Sequence, residues 1–154
     1  MVITFLLGGE EATQRFGAAF AALLQRGDLV TLSGDLGAGK STLARAVIRA
    51  LAGDETLDVP SPTFTLVQAY DDLPLPVTHA DLYRIGMAEE VDELGFEQAL
   101  EDGVLLVEWP QKAQGLLPPP QFAVALAHEG ASRRLALRAE GEAAGRVRLL
   151  EGFS

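Results

Sequence analysis

The sequence predicts an α/β domain with a mixed, mainly parallel central sheet flanked by helices. Three observations carry that expectation. Short apolar runs alternate with stretches of helical periodicity, a glycine-rich loop joins one such run to a helix, and 154 residues suit a single domain, residues 1–154. A chain of that size buries roughly 70% of the surface it would expose unfolded. Its 48% hydrophobic and 22% charged residues are ordinary globular proportions, which argues against disorder or a fibrous fold.

The elements follow in order. The apolar run 2–7 reads as a strand, and residues 10–26 read as a helix because Ala12, Phe16, Ala19, Phe20 and Leu23 recur at helical spacing. A second strand over 28–33 runs into the glycine-rich stretch 34–39. A helix over 40–51 should follow, with Leu43, Val47, Ile48 and Leu51 as its apolar stripe and Gly53 as its stop. Further strands are expected at 63–69, 77–81, 104–108, 122–127 and 134–138, with short helices between 87 and 100. Pro118 to Pro120 is too short to separate domains and reads as a turn.

Composition narrows the function. Twelve basic residues against twenty-two acidic ones give a net charge of −10, which disfavours autonomous binding to a phosphate backbone. Residues 86–102 hold seven carboxylates and no Lys or Arg, whereas 132–148 carry five of the ten arginines. These stretches read either as solvated faces or, for the acidic one, as a docking surface. The apolar runs fall far below the ~20 residues of a spanning helix, the N-terminus lacks a basic flank and apolar core, and cysteine is absent. A cytoplasmic protein is expected.

The string Gly-Asp-Leu-Gly-Ala-Gly-Lys-Ser over 34–41 fits the P-loop pattern G-x-x-x-x-G-K-S. Gly34, Gly37 and Gly39 let the loop curl so that its backbone N–H groups face inward around phosphate oxygens. Lys40 can place its ammonium on the β- and γ-phosphates, where it also serves catalysis. Ser41 can give its hydroxyl to Mg²⁺, and the helix that begins there adds the positive end of its dipole. Ala38 and Thr42 complete the expected nucleotide contacts. Lys112 is the only other lysine, and cations are otherwise written as arginine, so lysine here suits a point-charge role.

Such a loop needs a carboxylate at a strand end for the metal and a group that orients the attacking water. Glu108 ends the fully apolar Val104-Leu105-Leu106-Val107 and is the candidate for the metal; Asp81 ends a less apolar strand and is the candidate for the water. His79, a lone strand histidine, is left out, and Trp109 reads as a packed aromatic. Ser61-Pro62-Thr63 is either an ordinary turn or a switch segment that senses the γ-phosphate. Without any Asn the chain has no Asn-Lys-x-Asp element for guanine, which favours adenine.

These residues resemble the bacterial TsaE family, also called YjeE, of tRNA threonylcarbamoyladenosine synthesis. The strings GDLGAGKS, SPTFTLV, HADLYR and VEWP stand here in that family's order, between Glu-Glu-Ala-Thr at 10–13 and Arg-Arg at 133–134. The resemblance implies a P-loop NTPase fold and an ATPase that works with the TsaB and TsaD proteins without itself modifying tRNA. It implies Ser41 and Glu108 at Mg²⁺, Asp81 in hydrolysis, and Ser61, Pro62 and Thr63 in a nucleotide-responsive loop. It also puts Glu11 and Thr13 near adenine and Arg133 near the nucleotide, with Arg134 as the alternative. Ser41 stands where many members have Thr; both supply the hydroxyl. Two other classes compete: a small-molecule P-loop kinase, which the acidic middle of the chain disfavours, and a nucleotide-gated binding module.

Overall fold

Seven strands form one sheet in a computed structural model that describes residues 1–153, in the order β1-β7-β6-β2-β5-β4-β3. The strands are β1 (Val2–Leu7), β2 (Leu29–Ser33), β3 (Val67–Tyr70), β4 (Val77–Asp81), β5 (Val104–Glu108), β6 (Phe122–Glu129) and β7 (Ser132–Ala139). The helices are α1 (Glu10–Ala21), α2 (Lys40–Ala52), α3 (Phe96–Asp102) and α4 (Glu142–Val147). The four central strands β6, β2, β5 and β4 run parallel, while β1, β7 and β3 pair antiparallel at the two flanks. The parallel character expected of the sheet is thus confined to its centre.

That centre follows from the sequence. Every residue of β5 is buried, as are four of the five in β2, because helices and turns cover both faces and such strands must be apolar throughout. On one face, α1 and α2 bury Phe16, Phe20, Leu43, Val47 and Ile48 against Val30, Leu32 and Leu106. Each such side chain contributes about 1.5–3 kcal/mol on burial. The two helices meet closely at Gly17, where a Cβ would lie 2.6 Å from the Cβ of Ala46. On the other face Leu29, Leu105 and Val107 pack with Val91, Phe96 and Ala113.

Three elements differ from expectation. The first helix stops at Ala21 rather than Arg26, because Gly27 adopts φ 95° and Asp28 Oδ2 accepts the Gln25 N–H at 2.7 Å, turning the chain into β2. The third strand begins at Val67 rather than Thr63: the Leu66 N–H donates to the Pro62 carbonyl at 2.7 Å and Leu66 takes φ 69°, so 62–66 is a turn. Helix α4 was not anticipated. It is held by Arg146, whose guanidinium donates to both oxygens of Asp28 at 2.7 and 3.0 Å and to the Leu23 carbonyl at 2.7 Å. No helix among the described residues is long and apolar enough to cross a membrane.

Candidate nucleotide site

The parallel strands β2, β4 and β5 end at the same edge of the sheet, where α/β folds place their ligands. The register puts Glu108 beside both Leu32 and Asp81. The glycine-rich loop leaves β2 at the same level and leads into α2. Gly34, Gly37 and Gly39 take φ of 146°, 78° and 108°, the left-handed side that side chains disfavour. Gly34 has a second constraint, since a Cβ there would stand 2.4 Å from the Leu126 carbonyl oxygen of β6. Gly39 is the N-cap of helix α2 and offers no side chain, so the first N–H groups of the helix lack that partner and present the positive end of the helix dipole to the cleft.

Lys40 is buried and donates to the carbonyls of Gly34 and Asp35 at 2.6 and 2.9 Å, with the Trp109 ring 4.4 Å from Nζ. Burial lowers its pKa from the usual lysine value, against the opposing pull of Glu108, Asp81 and Asp35. The Ser41 hydroxyl lies 3.2 and 3.3 Å from the two oxygens of Glu108. Asp81 accepts at both oxygens, from the Tyr83 N–H at 2.9 Å and from the Thr63 hydroxyl at 3.0 Å. Ser61 in turn lies 2.9 Å from Thr63, so the segment 61–63 reaches Asp81 through one hydroxyl.

A cleft of about 300 Å³ gathers Gly37, Gly39, Lys40, Ser41, Thr42, Thr63, Asp81 and Glu108, with Leu36, Tyr83 and Trp109 around them. Ala38 is fully buried in the core cluster and does not line the cleft. Beside the cleft a smaller pocket of about 250 Å³ shares Gly37, Gly39 and Thr42 and adds Thr13 and Arg133. Arg133 reaches the Gly37 carbonyl at 3.4 Å, whereas Arg134 pairs with Glu129. Glu11 is not brought to that pocket: it is exposed and lines a neighbouring cavity with Phe5, Leu7 and Arg15. The reason is helical geometry, since residues two apart on α1 cannot share a face, and the inward one is Thr13.

Trp109 and Tyr83, read from sequence as ordinary packing or not at all, stand at the cleft with ring centroids 4.9 Å apart. Trp109 is placed there by φ 57°, which turns the chain sharply after β5 and has no signature in composition. His79 also enters, because its Nε2 lies 2.6 Å from Glu108 Oε2.

The donors fit Mg²⁺. That ion keeps several waters and takes one or two protein oxygens plus substrate phosphates, and Ser41 with Glu108 offers hard oxygens of that kind.

A mixed sheet with a parallel centre, this loop between strand and helix, and carboxylates ending two adjoining strands make up the architecture of a P-loop domain. Comparison with known proteins is more specific. The family model for the threonylcarbamoyl adenosine biosynthesis protein TsaE matches residues 7–136. Proteins named tRNA threonylcarbamoyladenosine biosynthesis protein TsaE are similar over most of the chain. The one from Rickettsia bellii is 42% identical over 79% of this chain and 83% of its own length. For Haemophilus influenzae the figures are 34%, 90% and 90%. The crystal structure of YdiB from Bacillus subtilis superposes with a TM-score of 0.79 at 30% identity, covering 98% of this chain and 93% of that one. This chain belongs to the TsaE family.

Proposed function

We propose that this protein binds ATP with Mg²⁺ at the 34–41 loop and hydrolyses it, in support of tRNA threonylcarbamoyladenosine synthesis by TsaB and TsaD. The observation that carries the reading is the convergence of Lys40, Ser41, Asp81 and Glu108 in one cleft at the head of α2. Family membership supports the pathway, and the resemblance of the motifs supports the two partners.

In this reading the loop N–H groups and Lys40 hold the phosphates, with Lys40 exchanging its loop carbonyls for phosphate oxygens. Mg²⁺ supplies charge neutralisation at the β- and γ-phosphates when bound. Ser41 and Glu108 fix it, and Asp81 orients water for attack on the γ-phosphorus. Thr13 and Arg133 flank the adenosine side, which lies across the loop from the carboxylates.

Asp81 accepts one hydrogen bond at each oxygen, and the one from Thr63 ties it to the 61–63 segment, so movement of that segment changes how Asp81 faces a water. Turnover should therefore respond to whatever moves the 61–63 segment. The same contact favours a second reading, in which ATP occupancy moves this segment and signals to a partner without significant turnover.

Phosphate release from Mg²⁺–ATP, measured with and without TsaB and TsaD, separates the two. Turnover that rises with the partners and vanishes in Lys40→Ala supports a partner-coupled ATPase. Lys40-dependent ATP binding without phosphate release in either condition would leave the gated module.

A further inference from the structure

β4 and β5 are parallel, with Asp81 opposite Glu108 and His79 opposite Leu106. Because side chains alternate along a strand, His79 and Glu108 share a face, with His79 one pleat deeper in the sheet. Both are almost inaccessible, at 1% and 2% exposure. A carboxylate so buried needs partners, and among the described residues Glu108 has two, His79 and Ser41. Ser41 stands almost equally far from the two oxygens, at 3.2 and 3.3 Å, and so does not distinguish them. His79 touches only Oε2, at 2.6 Å.

The ring's other nitrogen fixes the sense of the contact. Nδ1 is buried and has no partner among the described residues. A proton on Nδ1 would leave a donor unpaired in the core, whereas a proton on Nε2 points at the carboxylate and leaves only an unpaired acceptor. The hydrogen-bond inventory thus assigns the Nε2–H tautomer.

We propose that His79 is a positioning residue for the metal-holding carboxylate: its Nε2–H ties down Glu108 Oε2, so that Oε1 and the Ser41 hydroxyl face Mg²⁺ together. This rests on Ser41 and Glu108 being the Mg²⁺ site. Partners that orient a metal-holding group commonly change metal affinity by about 10–100-fold when removed, without touching the metal.

Two measurements test it. In the wild-type protein without metal or nucleotide, long-range ¹H–¹⁵N correlation of the His79 ring is expected to show protonated Nε2 and bare Nδ1. A proton on Nδ1 would overturn the assignment, and this readout needs no variant. The second follows ATP binding by the fluorescence of Trp109, the only tryptophan, over a range of Mg²⁺ and again in excess chelator. His79→Leu is expected to raise the half-saturating Mg²⁺ concentration by about tenfold or more, with chelator-measured ATP affinity unchanged. His79→Gln, which keeps an N–H donor, is expected to recover most of that loss. A folded His79→Leu variant with the wild-type Mg²⁺ requirement, or one weakened equally with and without Mg²⁺, overturns the positioning role alone. Wild-type binding indifferent to Mg²⁺ would instead refute the Mg²⁺ site itself, and the proposal with it.

Discussion

Replacing Gly34 by Ala should damage this protein more than the same change three residues later, and the structure says by how much. Gly34 takes φ 146°, and a Cβ there would sit 2.4 Å from the Leu126 carbonyl oxygen and 3.3 Å from the Ala38 Cβ. The oxygen belongs to β6, which is paired to β2 immediately before the loop, so it cannot swing aside as a side chain would. Relief requires β2 and β6 to part or the loop to unwind. Backbone strain at such a φ costs about 1–3 kcal/mol. Forced overpacking adds a further ~1–3 kcal/mol. Gly37→Ala isolates the first contribution, since Gly37 has φ 78° but its nearest atom, His128 Nε2, is 4.0 Å away. Urea unfolding followed by Trp109 fluorescence and far-ultraviolet circular dichroism measures both variants. Gly34→Ala should be the less stable by at least about 1 kcal/mol, and should also lose ATP binding as the loop opens. Equal stability of the two variants would refute the steric argument.

Three other changes have defined outcomes. Arg146→Ala leaves Asp28, 5% exposed, as a buried carboxylate without its bidentate partner, and should cost about 3–5 kcal/mol in urea unfolding. Arg146→Lys should rescue only part, because an ammonium cannot make both contacts in one plane. The Tyr70 hydroxyl is buried without a partner among the described residues, so Tyr70→Phe should leave stability at neutral pH unchanged or raise it by up to about 1 kcal/mol. Burial, reinforced by Asp58 and opposed by Arg45, also raises the Tyr70 pKa above its ordinary 10.0. The folded state then keeps a proton that the unfolded chain releases. Wild-type stability should therefore fall as pH rises from 10.0 through the folded value, and Tyr70→Phe should lack that component of the loss. Asp81→Asn keeps the shape of the strand end but removes the charge that draws water, so phosphate release should disappear while ATP affinity is retained; normal turnover would make Asp81 structural.

The elements legible in the sequence were those whose local pattern and tertiary setting agree. β1, β4 and β5 fall where their apolar runs are, and α2 is written by its stripe and by Gly53, which takes φ 66° at the helix end. Thr63-Phe64-Thr65 is not a strand because its β-forming residues serve a turn, and Phe64 is 80% exposed with the guanidinium of Arg84 over its ring. Six residues with a glycine inside give α4 no usable periodicity; it is held by Asp28, more than a hundred positions away, and by burial of Ala143 and Val147 in the core. At the cleft, the glycine loop and both strand-end carboxylates were visible because each sits on a local pattern. The tie between His79 and Glu108 was not, because it depends on β4 and β5 being neighbours in one register. The same holds for Arg133, which differs from Arg134 only in the face of β7 it occupies.

The most direct test of the account is calorimetric titration of ATP into the wild-type protein and the Lys40→Ala variant, in the presence of Mg²⁺. One site per chain, with affinity lost in the variant while its circular dichroism spectrum is unchanged, is the predicted result. Equal binding by both proteins would place the nucleotide elsewhere and contradict the assignment of the 34–41 loop.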